Sequence, residues 1–353
     1  MPLKRLRKQI DAADKQIVEL LNKRARIIVD IGARKSKQGA AAYCPERERE
    51  VLARIAALNR GPLSTAALEA IYREVMSGSL SLEKKLTIAY LGPPATFTHQ
   101  AALKRFGSQV SYVSCESIAD VFAEVEKGSA DYGVVPIENS IEGAVNHTLD
   151  MFVDSDLKIC AQVILDISHN LLSRSPLKKI AAVYSKAEVF GQCRIWLQRN
   201  MPGVDHVEVS STTKAAQIAG ATRSAGCIAS ALAAKMYGLN TVARSIEDSP
   251  HNRTRFFVIG TTDTAPTGRD KTSLLFSIKD KVGALHEMLM PFKKYKVNLN
   301  KIESRPSKKR AWDYYFFVDL EGHQQSPRIH KALRELEHKC KFLKILGSYP
   351  VGA

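Results

Sequence analysis

Apolar residues at the start of the chain recur at alternating steps of three and four: Leu3, Leu6, Ile10, Ala13, Ile17, Leu20, Ile27 and Ile31. This spacing predicts one long amphipathic helix with a coiled-coil-like seam. Helical patterning continues through residues 1–85, broken at Gly61-Pro62. From 86 to 261 short apolar runs alternate with amphipathic segments, the texture of an α/β fold. Strands are predicted over 86–91, 110–114, 132–137, 159–165, 180–184, 206–210, 226–229 and 255–260. The polar stretch TDTAPTGRD, residues 262–270, reads as a linker. In 271–353 a strand over 272–279, a helix over 283–295, strands over 298–305 and 312–320 and a helix over 326–339 predict a small ferredoxin-like α+β module in βαββα order. The expected fold class is therefore multidomain, with an all-α helical domain, an α/β domain and an α+β domain.

The seam has one violation, because the step after Leu20 lands on Arg24. A buried cation there should be paired, since an unpaired buried charge costs several kcal/mol. Lys35 lies eleven residues further on, three helical turns with about 20° of drift, and so shares that face. Arg7 lies seventeen residues before Arg24, roughly 100° around the helix and ~25 Å away. One helix cannot aim Arg7 and Arg24 at one small ligand, whereas a second copy could supply Arg7 from its other end. A helix of this length, about 50 Å, is also too long to bury its seam inside so small a unit, so dimerisation is expected.

Composition narrows the function classes. The 353 residues imply two or three domains, and 45% hydrophobic with 25% charged residues excludes wholesale disorder. No run approaches ~18 apolar residues, and the basic N-terminus lacks an apolar h-region, so neither a membrane span nor a secretory signal is expected. Six cysteines without CxxC spacing argue against zinc or a disulfide framework and for a cytoplasmic location. The net charge of +16 comes without long cationic blocks, the densest being Lys308-Lys309-Arg310. It fits small polyanionic substrates better than nucleic acid.

Candidate chemistry is concentrated in a few stretches. On the helical segment, Arg47 and Glu48 open a second helix, and Ser79 and Glu83 sit four apart on a third. Each taken alone reads as surface charge on a dimerisation module. In the middle segment, GPPATFTHQAA follows a strand and offers a helix N-terminus to an anion. DYGVVPIENS presents Glu138, Asn139 and Ser140 together; VYSKAEVFGQC brings Ser185, Gln192 and Cys193; and SPHNRTRFFVIG puts Asn252, Thr254, Arg255 and Phe256 at the start of an apolar strand. Strand-end turn chemistry is the plainer account of such groups, and Cys193 reads as an inert buried thiol.

Taken together the motifs do more. The pattern LRKQIDAADKQIVELLNKRARIIVDIGARK, YCPEREREVL and SGSLSLEKK resembles the all-helical chorismate mutase family across residues 1–85. The resemblance implies an intertwined homodimer that rearranges chorismate to prephenate. It implies that Arg7 of the partner chain, Arg24 and Arg47 hold the substrate carboxylates, that Lys35 donates to the ether oxygen and that Glu48 accepts from the ring hydroxyl. Ser79 would assist binding, and Glu83 would face the ether oxygen where some members have Gln. Cys44 stands where the family commonly has Asp.

The series GPPATFTHQAA, DYGVVPIENS, FGQC and NRTRF resembles prephenate dehydratase over residues 86–261. This implies a bilobal α/β domain with its substrate between the lobes. Thr254 would donate to the departing hydroxide and Arg255 would hold the pyruvyl carboxylate. Glu138, Asn139, Ser140, Ser185 and Gln192 would complete the shell, with Phe256 packing against it. Ala95 departs from the Gly often found in the first motif.

Residues VGALHEML and IESRPSKKRAWDYYFFVDL resemble the ACT domain of phenylalanine-regulated dehydratases. The resemblance implies a phenylalanine site formed by Gly283, Ala284, Leu285, Glu303, Ser304, Arg305 and Pro306. Val282 and His286 depart from that pattern.

The joint expectation is a bifunctional enzyme of phenylalanine biosynthesis with chorismate and prephenate as substrates and phenylalanine as effector. Its catalytic residues would be Thr254, Arg255, Lys35 and Glu83; no cofactor or metal, and no nucleic-acid or membrane partner, is expected. Two other readings stand beside it: a dehydratase whose helical segment only dimerises, and a non-catalytic amino-acid sensor.

Overall fold

The computed structural model of the protein describes residues 3–37, 43–278, 282–307 and 313–351. The cationic run 308–310 lies outside the described residues. The chain forms two compact units, one of residues up to Thr87 together with Arg105–Ser111, the other of Ile88–Lys104 and the chain from Tyr112 onward.

The first unit is built on α1 (Leu3–Lys37), α2 (Pro45–Leu58) and α3 (Thr65–Glu83). The 35 residues of α1 confirm the helix that the apolar spacing predicts. Pro45 in the first turn of α2, with Glu46 and Glu48 beside it, suits a helix start and its dipole. Ser64 caps α3 by accepting from the Ala67 N–H at 3.2 Å. Gly32 lets α1 lie close against α3, since a Cβ there would fall 2.8 Å from Cγ of Glu83. The seam residues Leu3, Leu6, Ile10, Ile17, Leu20, Ile27 and Ile31 remain 40–65% exposed in the single chain.

Residues 105–111 fold against α3. Ser108 donates from its N–H and its hydroxyl to Glu74, at 3.2 and 2.6 Å, and the Gln109 N–H donates to Ser77 Oγ at 3.0 Å. Gly107 is left-handed (φ 72°), and a Cβ there would meet Ser77 Oγ at 2.7 Å. Only glycine permits that approach.

The α/β part of the chain opens with β1 (Thr87–Leu91), α4 (Phe97–Phe106), β2 (Ser111–Cys115), α5 (Ile118–Glu126), β3 (Tyr132–Asn139), β4 (Gly143–Ala144), α6 (Asn146–Asp154) and β5 (Lys158–Asp166). A full capping box between Ser117 and Asp120 starts α5. The chain then builds a second sheet from β6 (Asn170–Ser173), β7 (Ala182–Ser185), β8 (Asp205–Glu208), β9 (Ala225–Ala229) and β10 (Asn240–Ala243), with α7 (Ala187–Gln192), α8 (Arg194–Asn200), α9 (Thr212–Ala221) and α10 (Ala231–Tyr237). It returns to the first sheet as β11 (Arg253–Gly260), which lies antiparallel between β3 and β5. The sheet orders are β2-β1-β3-β11-β5, with β4 on β3, and β10-β6-β9-β7-β8. This is the bilobal α/β arrangement, and the return of β11 brings residues before and after the second lobe side by side. Three of these strands (β4, β6 and β10) are absent from the sequence expectation, being two to four residues long and too short to display a period.

The expected linker is an ordered turn. Asp270 accepts from the Thr267 and Gly268 N–H groups at 2.9 and 3.1 Å and from the Thr267 hydroxyl at 2.6 Å. The C-terminal part consists of β12 (Asp270–Ser277), α11 (Ala284–Lys294), β13 (Leu299–Pro306), β14 (Tyr314–Glu321), α12 (Pro327–Lys339) and β15 (Phe342–Pro350), in sheet order β13-β14-β12-β15. The strand β15 corrects the βαββα expectation to βαββαβ.

Strand alternation gives this sheet two apolar faces. Leu274, Phe276, Phe316 and Val318 face α11 and α12, where Met288, Phe292, Leu333 and Leu336 cover them. Leu275, Phe317, Leu346 and Tyr349 point the other way, into the core of the first α/β lobe with Phe122, Phe152 and Phe257. The two parts therefore share one core. At Gly347 a Cβ would run into the Ile159 carbonyl oxygen and lie 2.8 Å from its nitrogen, backbone atoms that no rotamer change can move aside. Gly347→Ala is expected to destabilise this unit by about 2 kcal/mol or more, the range of an overpacking substitution. Thermal unfolding checks it, and an unchanged melting temperature would show that the two strands are not so closely docked.

Candidate active sites

The three helices and Arg105–Phe106 enclose a cavity of about 590 Å³, and Arg24, Lys35, Arg47, Glu48, Ser79 and Glu83 all line it. Six of the seven residues expected on this segment thus converge. Arg7 does not; it lies near the other end of α1 and is exposed. Lys35 Nζ is 2.9 Å from Glu83 Oε1, and the Glu83 side chain is only 7% exposed. The close approach at Gly32, one turn before Lys35, permits this pair. Arg47 reaches Glu50 at 2.6 Å near the surface.

Arg24 corrects an expectation. Its guanidinium donates to Ser79 Oγ, which itself donates to the Val75 carbonyl at 2.7 Å. Among the described residues no carboxylate lies within ion-pair distance of Arg24. Burial pushes this guanidinium below its ordinary value, with Tyr72 opposing. A half-buried cation answered by a hydroxyl keeps donors that an anion could use. Ser79 therefore acts on Arg24, fixing its direction. Cys44 occupies the N-cap of α2 without a side-chain capping hydrogen bond, so the departure from Asp falls where an oxygen acceptor would cap the helix.

The second group forms where β3, β11 and α7 meet. Asn139 and Thr254 are register partners across β3 and β11. Asn139 Oδ1 accepts from the N–H groups of Ile141 and Glu142 at 2.9 and 3.0 Å, which fixes the amide orientation. Its Nδ2 then donates to Thr254 Oγ1 and Asn252 Oδ1, both at 2.8 Å. Asn252 donates in turn to Gln192 Oε1 at 2.9 Å, and Gln192 donates to Glu142 Oε1 at 2.9 Å. His169 Nε2 lies 2.8 Å from the same Gln192 oxygen and must donate to it. Its Nδ1 is then the acceptor, buried with no hydrogen-bond partner among the described residues. Burial pushes the imidazole below its ordinary value, so the ring stays neutral. Because Thr254 Oγ1 accepts from Asn139, its own proton is available to a ligand.

The other expected residues are placed differently. Arg255 follows Thr254 on a strand and so points to the opposite face, where its guanidinium sits 5.1 Å over the Phe257 ring. It pairs there with Asp319 of β14 at 2.6 Å and Glu138 at 3.3 Å. Burial opposes its charge, but Asp319, Tyr349 and Glu138 together push the guanidinium above its ordinary value. A carboxylate beside Thr254 would lie across the strand from it. Glu138 also pairs with Lys301. Ser185 is buried and donates to the Ile228 carbonyl at 2.9 Å, and Ser140 donates to the His251 carbonyl at 2.8 Å. Phe256 is buried on the Thr254 side of the strand. Burial pushes the Cys193 thiol up to about 12, which agrees with an inert core cysteine. Sequence reasoning missed Glu142 and His169; Glu142 stands within the IENSIEG stretch, and His169 carries no local signal.

In the C-terminal part, Gly283 is left-handed (φ 78°) at the N-cap of α11, with Ala284 buried behind it. Along β13, Glu303 and Arg305 are half-buried and Ser304 and Pro306 exposed, the alternation of a strand. Arg305 pairs with Asp150 of α6 at 3.2 Å. Ala95 is left-handed (φ 69°), which explains why glycine suits that position. Among the described residues no group of three or more His, Cys, Asp or Glu could hold a metal ion, and no helix is long and apolar enough to cross a membrane.

Comparison with known proteins meets these sites from another side. A type II chorismate mutase profile matches residues 6–84, a prephenate dehydratase profile 88–264 and an ACT domain profile 272–338. The bifunctional chorismate mutase/prephenate dehydratase of Aquifex aeolicus is 54% identical over 353 residues, covering 99% of this chain and 98% of its own. That of Stutzerimonas stutzeri is 45% identical over 355 residues, covering 99% and 97%. Among solved structures, the prephenate dehydratase of Arthrobacter aurescens in complex with L-Phe is 32% identical, covers 75% of this chain and 90% of its own, and superposes with a TM-score of 0.71. With identity at this level along the whole chain, the protein belongs to the bifunctional chorismate mutase/prephenate dehydratase family and carries a C-terminal ACT domain.

Proposed function

We propose that this chain rearranges chorismate to prephenate in its helical cavity and converts prephenate to phenylpyruvate at the Thr254 cluster, with phenylalanine acting through the ACT domain. We assign residues 1–85 to the mutase, 86–261 to the dehydratase, 262–270 to the connecting turn and 271–353 to the ACT domain. The convergence of Arg24, Lys35, Glu48 and Glu83 on one cavity carries the first activity. A module that only dimerised would have no reason to bury four charged groups around an empty volume, since each costs desolvation.

The rearrangement needs no nucleophile. It needs a compact conformer and stabilisation of the negative charge that grows on the ether oxygen. Arg24, steadied by Ser79, would clamp one carboxylate, and Arg47 would turn from Glu50 to help. Lys35 would donate to the ether oxygen with Glu83 beside it, and Glu48 would accept from the ring hydroxyl. Arg7 would come from a second copy: the exposed seam of α1 is a strip of apolar surface that a homodimer would cover. Two defective copies should then complement. Mixing unfolded Arg7→Ala and Arg24→Ala chains and refolding them together should restore about one quarter of wild-type mutase activity, because half of a random mixture is heterodimer with one intact site each. No recovery would refute the shared site.

In the dehydratase, aromatisation supplies the driving force as the ring loses hydroxide and carbon dioxide. Thr254 would donate a hydrogen bond to the departing oxygen, stabilising it as it leaves as hydroxide. Asn139 holds the Thr254 oxygen from behind, so the donor is oriented before substrate arrives. Asn252 and Gln192 would supply neutral hydrogen bonds without competing cations. Arg255, paired with Asp319 and Glu138 on the other face of the strand, is left out of this assignment. Thr254→Ala is expected to lower dehydratase kcat by roughly 10²–10³-fold, the magnitude of a lost oriented donor, while chorismate consumption is unchanged. Near-normal turnover would refute the assignment.

Phenylalanine would bind at Gly283–Leu285 and Glu303–Pro306. Lys301–Glu138 and Arg305–Asp150 tie β13 to the dehydratase lobe, so a change at that strand reaches β3 and α6 directly. Millimolar phenylalanine is expected to lower dehydratase activity several-fold to ~100-fold, a coupling of about 1–3 kcal/mol, and to raise the melting temperature. No change in either would exclude the effector. A cytoplasmic setting is supported by six cysteines that are all free thiols.

A further inference from the structure

The helical cavity contains a cation that none of the mutase motifs supplies. Arg105 lies in the stretch matched by the dehydratase profile, yet it belongs to the first compact unit and lines the cavity beside Glu48. Its Nη2 is 3.0 Å from Glu48 Oε2, with side chains 11% and 12% exposed. Its Nε donates to Tyr43 Oη, and the guanidinium lies 5.6 Å over the Tyr43 ring. Tyr43 in turn packs on Phe106, with ring centroids 4.9 Å apart. The segment that carries Arg105 is itself clamped on α3 through Gly107 and Ser108, so the arginine is delivered to a fixed place. Glu48 Oε2 is buried and makes no aligned hydrogen bond, so the arginine attracts it while leaving its lone pairs for another donor.

We propose that Arg105 is a positioning residue of the mutase, holding Glu48 as a carboxylate aimed across the cavity at the hydroxyl of the substrate. The inference rests on the mutase reading of the cavity. It states that the dehydratase part of the chain completes the mutase site. Without Arg105 the Glu48 carboxylate is a buried charge with one fewer partner and turns from its place, which spoils it as an acceptor. The hydroxyl it grips is not among the bonds broken or formed and is held before and during reaction alike, so the loss falls on KM more than on kcat.

The test uses the full chain, with Arg105→Gln, Tyr43→Phe, Glu48→Gln and the double variants, assayed by chorismate consumption. Arg105→Gln is expected to raise KM roughly 10- to 100-fold with kcat within about threefold, and Tyr43→Phe to act in the same direction but less. In the Glu48→Gln background both substitutions are expected to lose most of their effect, because they act through that carboxylate. Prephenate turnover reports whether the variants remain folded. Equal effects with and without Glu48 would overturn the proposal, as would a fall in kcat at unchanged KM. Should Arg105→Gln fail to fold, Tyr43→Phe decides by the same comparison. A wild-type chain inert toward chorismate would instead refute the mutase reading, and the proposal with it.

Discussion

A guanidinium removed from water must meet a counter-charge or lose several kcal/mol, and the buried arginines of this protein show three answers to that constraint. Arg255 is answered from within by two carboxylates, Asp319 and Glu138, and it joins strands of the dehydratase sheet to the ACT sheet. Arg105 is answered by Glu48 and Tyr43, at the edge of a cavity. Arg24 meets, among the described residues, a serine hydroxyl and no carboxylate. Arg24 keeps donors that an anion could use, whereas the Arg255 charge is already met by two carboxylates. The three side chains are chemically identical, and their surroundings alone distinguish them.

Much of this was legible in the chain. Steps of three and four predicted α1 and its unsatisfied seam, and the position of Arg24 in that seam marked it as a cation in need of a partner. The placement of Arg255 was legible too, in principle. Thr254 and Arg255 are neighbours on a strand, and a period of two sends neighbours to opposite faces. Motif resemblance groups residues by sequence, whereas the pleat sorts them by face, and the pleat decides which of them a ligand can touch.

Other features had no local signal. Arg105 sits in a helix that belongs by pattern to the α/β segment, yet it falls within the helical unit. His169 looks like any loop histidine until the return of β11 brings Asn252 beside Gln192. The strand β15 contains Gly347, which weakens a strand pattern on propensity grounds, yet that glycine is what lets the strand press against Ile159. In each case the decisive partner lies far away along the chain.

The hydrogen-bonded chain at Thr254 shows how such distant contacts fix a direction. Backbone N–H groups of Ile141 and Glu142 can only donate, so Asn139 must turn its oxygen toward them and its amide toward Thr254 and Asn252. Asn252 must then donate to Gln192, and Gln192 to the carboxylate of Glu142, which can only accept. Two fixed ends leave no freedom for the amides between them. The neutral His169, donating to the same Gln192 oxygen, reinforces the one arrangement allowed. The hydroxyl of Thr254 is left with its proton uncommitted, and its direction is set by the backbone, in advance of any substrate.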